Sequence, residues 1–189
     1  MSQQQLLISA VRILDNNSIP FMISGSFASS MQGEPRLTHD IDFVIQVHQE
    51  DISKIISAFK KPEYYLSETA VYEAFEYKSS FNVIDVLEGD KIDFWLLMDD
   101  AYDQLRFTRR KKTVIWGESI FVSSPEDTIL KKLHWSKLCG GSQKQEFDAR
   151  KVFEHKQDIL DRDYLHNWSV YLGVEDLLKS IETSATTGF

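Results

Sequence analysis

The sequence of 189 residues contains one cysteine, Cys139, so no disulfide can form within the chain. No paired His and Cys spacing predicts a zinc site. No apolar run approaches the roughly 20 residues of a membrane span. Met1–Gln5 lacks the basic start and apolar core of a signal peptide. From these absences we expect a soluble chain with no membrane association, located in a reducing cytoplasm.

The chain also lacks an excess of positive charge, with 21 Lys and Arg against 29 Asp and Glu and a net charge of −8. A protein binds nucleic acid largely by neutralising its phosphates with positive side chains, so this acidic chain has no general electrostatic attraction to nucleic acid. One dense basic run, Arg106–Lys112, departs from this pattern. Such runs are typical of a solvated helix end and strand start, although this one leaves RNA open as a partner.

The hydrophobic pattern changes character near residue 123. Before it, short apolar runs alternate with helical segments; after Ser124–Asp127, which combines a cap serine, a first-turn proline and two acids, the period is helical. We predict an α/β (α+β) fold with two parts. Residues 1–123 form a mixed sheet flanked by helices, and residues 124–189 form a C-terminal helical segment packed on it.

Several strands in the middle of the chain are predicted from aromatic and β-branched content. Tyr64–Leu66, Phe75–Tyr77 and Phe81–Val86 have this composition, while Thr69–Ala74 is also compatible with one helical turn. A Glu-Gly-Asp turn predicts a hairpin over Asp85–Ile92.

Three acids form the main candidate site. Asp40 and Asp42 lie two apart in an extended segment, so their side chains project from one strand face. Such a pair suits Mg²⁺, which prefers one or two carboxylates together with waters and substrate phosphates. Asp93 lies in an apolar strand, where a carboxylate is costly unless a cation or donor meets it. Its candidate partners are Lys91, expected on the opposite strand face, Arg106, or a metal shared with the other two acids.

A glycine and a serine precede this pair of acids. Gly25 and Ser26 follow a short apolar strand and open a segment of small residues that can form a helix. Unpaired backbone N–H groups at a helix start suit a phosphate group. Taken alone, a Gly-Ser pair is ordinary turn chemistry, and only the downstream carboxylates give it functional weight.

These motifs together resemble the DNA polymerase β-like nucleotidyltransferase superfamily, whose signature is a hydrophobic-Gly-Gly/Ser turn, Asp-x-Asp/Glu and a later lone Asp. The matching residues are Gly25-Ser26, Arg36-x-Thr38-x-Asp40-x-Asp42 and Asp93. The segments Phe81–Asp93 and Ser124–Leu133 are similar to small bacterial and archaeal nucleotidyltransferases related to the abortive-infection toxin enzymes of toxin-antitoxin pairs. The resemblance extends to about Leu172, and Ser26 stands where the family often has glycine.

The resemblance implies a transferase that moves a nucleoside monophosphate from an NTP to a hydroxyl of an RNA end, a protein or a small molecule. Mg²⁺ or Mn²⁺ would be bound by the three acids, and Asp93 would also act as a base. The triphosphate would be held by Gly25 and Ser26, with Arg36 and Lys131 as further candidates. A loop position or an internal salt bridge explains Arg36 equally well, and solvation explains at least one of Lys131 and Lys132.

Two further functions stay open at this point. One is a catalytically inactive nucleotide-binding or regulatory module, which would fit a toxin with a protein antitoxin partner. Three mutually repelling carboxylates favour the enzyme over this module. The other is a metal-dependent phosphoester hydrolase, which the Gly-Ser turn disfavours weakly because a hydrolase needs no triphosphate site.

Overall fold

The computed structural model describes residues 2–38, 40–60 and 62–186. The chain divides into two compact units: unit 1 comprises Met1–Ser24 and Thr38–Val122, and unit 2 comprises Gly25–Leu37 and Ser123–Phe189. Unit 2 therefore includes Gly25–Leu37, a segment that the expected boundary at residue 123 assigned to the first domain. Within the described ranges, no helix has the length and apolar content needed to cross a membrane.

Helices and strands are interspersed up to residue 122, and the elements described after it are all helices. In chain order the elements are α1 (Gln3–Asn16), β1 (Phe21–Ser24), α2 (Gly25–Gln32), β2 (Asp40–Ile45), a 3₁₀ turn (Gln49–Asp51), α3 (Ile52–Ala58), β3 (Tyr64–Leu66), α4 (Glu68–Tyr77), β4 (Ser80–Asp85), β5 (Lys91–Leu96), α5 (Ala101–Thr108), β6 (Lys111–Ile115), β7 (Glu118–Val122), α6 (Pro125–Leu138), α7 (Gln143–Lys156), α8 (Arg162–Leu172) and α9 (Glu175–Thr186).

The seven strands that the described residues form make one mixed sheet in unit 1, in the order β3-β4-β5-β2-β1-β7-β6. The pairs β2 with β5 and β1 with β7 are parallel, and the other neighbours are antiparallel. The expected mixed sheet and the expected hairpin between β4 and β5 are both confirmed. The two central strands, β2 and β5, carry the acids of the candidate site.

One segment differs from its expected structure. Phe75–Tyr77, expected as a strand, forms the last turn of helix α4. The helix begins at Ser67, whose Oγ accepts a hydrogen bond from the Ala70 N–H at 3.3 Å. Val71 and Ala74 are its buried residues, which gives the segment a helical period. The cap and this period outweigh the strand preference of the aromatic residues.

One face of the sheet is packed with aromatic rings. The Phe94 ring lies 5.4 Å from Phe43, 5.2 Å from Phe81 and 5.5 Å from Phe59, measured between centroids. All four side chains are almost fully buried. Because strand residues alternate, the neighbours of these phenylalanines along β2 and β5 project to the other face.

Helix α6 of unit 2 begins as the sequence predicts. Pro125 occupies the first turn, and the Ser124 Oγ accepts a hydrogen bond from the Asp127 N–H at 3.1 Å. The buried Asp127 carboxylate also accepts hydrogen bonds from the Ser124 and Tyr164 hydroxyls, each at 2.7 Å. This network links the starts of α6 and α8.

Gly33 brings the end of α2 against the backbone of α7. A Cβ on Gly33 would lie 2.7 Å from the Val152 nitrogen and 2.8 Å from the Lys151 carbonyl carbon. Backbone atoms cannot move aside as a flexible side chain can, so only glycine allows this approach. The approach also brings the segment after α2, which contains Arg36, to the helix that carries Asp148.

We expect Phe94→Ala to lower the free energy of unfolding by about 3–5 kcal/mol, because it removes a ring that contacts three others. Urea denaturation measures the change. The control is Val114→Ala on β6, where the side chain is 72% exposed and the expected loss is below about 1 kcal/mol. Equal losses in the two variants would show that the Phe94 cluster is not the packing centre of unit 1.

Candidate functional site

The three acids of the predicted site project from one face of the unit 1 sheet. Asp42 is paired in register with Asp93 across the parallel strands β2 and β5, and with Ser24 across the antiparallel strands β1 and β2. Asp40 lies two residues before Asp42 and so shares its face. The opposite face carries the buried phenylalanines, so the acids lie on the more accessible side.

Lys91 is the cation that meets these acids. Its Nζ lies 2.9 Å from the Asp93 Oδ2 and 3.7 Å from the Asp40 Oδ1. The expectation that Lys91 lies on the opposite strand face is wrong, since residues 91 and 93 are two apart on one strand. The hydrogen bond to Asp93, together with the charges of Asp40 and Asp42, raises the pKa of the Lys91 ammonium.

The other expected partner of Asp93 is engaged elsewhere. Arg106 is buried on α5, where its Nε donates to the Asp103 Oδ1 at 2.6 Å. We call the sheet face that carries Asp40, Asp42 and Asp93 the acid face, and two neutral donors on it hydrogen-bond to these acids. The Asn82 Nδ2 donates to the Asp93 Oδ1 at 3.1 Å, and the Trp95 Nε1 donates to the Asp42 Oδ1 at 3.3 Å.

The chemistry of these donors suits a hard divalent cation, because carboxylate oxygens are the protein ligands that Mg²⁺ and Mn²⁺ prefer. In the arrangement observed, no three His, Cys, Asp or Glu side chains of residues 2–38, 40–60 and 62–186 form a group that could hold a metal ion. The Lys91 ammonium lies between Asp40 and Asp93 instead. The three carboxylates are thus suitable ligands for a divalent cation by their chemistry, but in the observed arrangement the Lys91 ammonium is the cation that contacts them.

Unit 2 begins at the turn that the sequence predicts as a phosphate site. Gly25 has φ +60°, a backbone conformation that favours glycine, and it is the first residue of α2. The Ser26 Oγ accepts hydrogen bonds from the Arg36 Nη2 at 3.0 Å and the Lys132 Nζ at 3.2 Å. Two cationic side chains thus meet at the second residue of the helix.

Asp148 on α7 holds these two cations in place. Its carboxylate accepts from the Arg36 Nε at 2.9 Å, the Arg36 Nη2 at 2.7 Å and the Lys132 Nζ at 2.8 Å. Burial raises the pKa of Asp148, but the hydrogen bonds from Arg36 and Lys132 outweigh burial and leave the pKa below its ordinary 3.8. The hydrogen bond to Asp148 raises the pKa of Arg36. We call Ser26, Arg36, Lys132 and Asp148 the basic cluster.

The fold is shared with known nucleotidyltransferases. The chain is similar to the antibiotic-resistance factor ANT(2'')-Ia, with 16% identity, a TM-score of 0.59 and coverage of 97% of this chain and 96% of that chain. It has the nucleotidyltransferase fold. The expected fold class is confirmed.

Two other solved structures share the nucleotidyltransferase fold. One is the lincosamide antibiotic adenylyltransferase LnuA, at 13% identity and a TM-score of 0.53, covering 80% of this chain and 96% of that chain. The other is an antigenic nucleotidyltransferase-like protein from Paracoccidioides brasiliensis, at 18% identity and a TM-score of 0.51, covering 94% of this chain and 91% of that chain. No protein-family model and no curated protein matches the chain.

The predicted site residues of this nucleotidyltransferase fold belong to two groups. Asp40, Asp42 and Asp93 share one sheet face in unit 1, whereas Gly25, Ser26, Arg36 and Lys131 belong to unit 2. Within unit 2, Lys132 contacts Ser26, and its neighbour Lys131 is half-buried on α6.

The sequence patterns do not predict Asp148, which lies 112 residues from Arg36. A signal is present, because Ala149 and Val152, one and four positions after Asp148, lie on the same buried face of α7. The patterns also do not predict Asn82 as a donor to Asp93. The register of the predicted β4–β5 hairpin, in which Asn82 is paired with Asp93, carries that information.

We expect Asp148→Asn to lower the free energy of unfolding by about 3–5 kcal/mol at pH 7, because it removes a buried negative charge that contacts both Lys132 and Arg36. Urea denaturation measures the loss. The matched control is Asp158→Asn, at an exposed turn of unit 2. Equal stability of the two variants at pH 7 would contradict the role of Asp148.

The stability that Asp148→Asn loses relative to the wild type should also depend on pH. The folded-state pKa of Asp148 is below its unfolded value of 3.8, so the carboxylate stabilises the fold above that value. This contribution disappears as the pH falls through the lower, folded-state pKa. The stability difference between the wild type and Asp148→Asn should therefore shrink below about pH 4. A difference that stays constant into this range would contradict the ionised pair.

Proposed function

We propose that this chain is a metal-dependent nucleotidyltransferase that moves a nucleoside monophosphate from an NTP to a hydroxyl group. The observation that carries the proposal is the register of three strands. Asp42 is paired with both Asp93 and Ser24, Asp40 shares their face, and Gly25 follows Ser24 directly in the chain. The shared fold with ANT(2'')-Ia and LnuA supports the same reading.

In this proposal Asp40, Asp42 and Asp93 are the residues that hold Mg²⁺ or Mn²⁺. When bound, the ion supplies positive charge to the phosphates and makes the attacking hydroxyl more acidic. The carboxylates supply the oxygen ligands from two rigid central strands, which keeps the ligands in fixed positions relative to one another. Asn82 and Trp95, through their hydrogen bonds, orient Asp93 and Asp42.

The transfer step forms one bond and breaks one bond. The acceptor oxygen attacks the α-phosphorus, the bond between that phosphorus and the oxygen bridging to the β-phosphate breaks, and pyrophosphate leaves with the electron pair. The acceptor's proton passes to the Asp93 carboxylate, which acts as the general base. Asp93 suits this role because its side chain is only 16% exposed and is held by a hydrogen bond to Asn82.

The start of α2 and the basic cluster are assigned to the triphosphate. The first N–H groups of a helix and its dipole favour an anion. Arg36 and Lys132 bring two positive charges to Ser26, and the Asp148 carboxylate holds both side chains by hydrogen bonds. Positively charged side chains at this place suit a phosphate group, and we assign Lys131 to the same task as a neighbour on α6.

We propose ATP as the donor and a small hydroxylated molecule as the acceptor. ANT(2'')-Ia has been solved in complex with adenylyl-2''-tobramycin, and LnuA is a lincosamide adenylyltransferase solved with lincomycin bound. The net charge of −8 favours a cationic small molecule over an RNA end. An NTP donor and a single cysteine also fit the cytoplasm. The toxin function, a protein acceptor and an antitoxin partner rest on the sequence resemblance, and an RNA acceptor rests on the resemblance and on the basic run Arg106–Lys112.

We expect Asp42→Ala and Asp93→Ala each to lower transfer by about 100-fold or more, because each removes a metal ligand. The assay supplies each α-³²P-labelled NTP with Mg²⁺ or Mn²⁺ and, in separate reactions, tobramycin, lincomycin or total tRNA. The control is Asp99→Ala, whose side chain is 78% exposed in the same unit. Unchanged thermal unfolding in all three variants shows that the loss is chemical.

The products separate the proposal from its alternatives. Label on tobramycin or lincomycin supports the small-molecule proposal, whereas label on tRNA overturns it in favour of the RNA acceptor. Release of free nucleoside monophosphate with every acceptor would indicate a phosphoester hydrolase. Binding of an NTP without turnover would indicate an inactive module. Full transfer by Asp42→Ala or Asp93→Ala would overturn the assignment of that acid.

A further inference from the structure

The acid face of unit 1 carries one positive charge that the proposed transfer does not use. The parallel register of β2 and β5 pairs Lys91 with Asp40 and pairs Asp93 with Asp42. Two adjacent pairs of residues therefore hold three carboxylates and one ammonium group on a single sheet face. The three acids alone would repel one another strongly at this spacing.

The ammonium lies among the oxygen atoms to which we assign the metal. The Lys91 Nζ is 2.9 Å from the Asp93 Oδ2 and 3.7 Å from the Asp40 Oδ1. A divalent ion bound to those two carboxylates would lie within a few ångströms of this ammonium and would be repelled by it. The ammonium and a divalent ion therefore cannot both occupy this place at low energy.

We propose that Lys91 is an internal counter-ion that occupies the metal site of the nucleotide-free protein and must swing away before a divalent ion binds. The inference rests on the proposed function, because it concerns the ion that the transfer would use. Its consequence is that Lys91 weakens metal binding in the absence of nucleotide. Phosphates brought by an NTP give the displaced ammonium a new anionic partner, so metal and nucleotide bind together more readily than the metal alone.

The surroundings of Lys91 allow this movement. Its side chain is 36% exposed, and that of Asp40 is 55% exposed, so the ammonium lies beside solvent and not within the core. The backbone positions of both residues are fixed by strand pairing. The swing therefore needs only rotations within the flexible lysine side chain, with no change in the sheet.

The direct test is Mn²⁺ binding in the absence of nucleotide, followed by the electron paramagnetic resonance signal of the free ion. We expect Lys91→Met to bind Mn²⁺ at least about tenfold more tightly than the wild type, because the repelling charge is gone. The matched control is Lys54→Met. The Lys54 Nζ lies 2.7 Å from Asp51, and its side chain is 44% exposed, so this variant also breaks a lysine–aspartate pair of unit 1.

A double variant locates the ion. Adding Asp40→Asn to Lys91→Met should remove the gain, which would show that the Mn²⁺ lies on the acids of the site. Thermal unfolding gives a second readout. Metal-free Lys91→Met should unfold at a lower temperature than the wild type, and Mn²⁺ should raise that temperature more in the variant. If Lys91→Met does not fold, Lys91→Gln, which keeps a polar end, is measured in its place.

The inference is overturned if Lys91→Met binds Mn²⁺ no more tightly than the wild type, or if Lys54→Met shows the same gain. This failure is distinct from failure of the proposed function. If transfer depends on Asp42 but Lys91→Met binds Mn²⁺ with unchanged affinity, only the role of Lys91 is overturned. Transfer that persists in Asp42→Ala would overturn the proposed function whatever the Mn²⁺ titration shows.

Discussion

The pairing of β2 with β5 is the constraint on which the candidate site depends. These parallel strands place Asp42 beside Asp93 and Asp40 beside Lys91, and the same register buries Phe43 against Phe94 on the other face. A shift by one residue would turn the acids inward and the phenylalanines outward. The aromatic packing therefore holds the charged groups at a fixed spacing, so stability and chemistry depend on one register.

In unit 2, the basic cluster holds charged side chains at fixed positions. The Asp148 carboxylate accepts hydrogen bonds from both cations that contact Ser26, so Arg36 and Lys132 keep defined positions beside the start of α2. In the proposed function, the three acids would bind the metal ion and the basic cluster would bind the triphosphate of the NTP.

Patterns local in the sequence were sufficient for most elements of the fold and for one part of the site. Alternation predicted the shared face of Asp40 and Asp42, and the capping residues predicted the start of α6 at Ser124. Contacts that join distant segments were missed, as with Asp148 and Arg36, because no local pattern encodes them. Lys91 was assigned to the wrong face although its spacing from Asp93 already gave the right one. In the Phe75–Tyr77 segment, the Ser67 cap and the helical spacing of the buried residues of α4 outweigh the strand preference of the aromatic side chains.

Thermal unfolding tests the proposal that the three carboxylates bind a metal ion together with an NTP. The wild type and Asp40→Ala are heated with each NTP, with and without Mg²⁺, because a ligand that binds only the native state raises its apparent stability. We expect a rise in unfolding temperature that requires both Mg²⁺ and an NTP and that disappears in Asp40→Ala. A rise of equal size in Asp40→Ala, or no rise with any NTP, would show that these acids do not bind the two together.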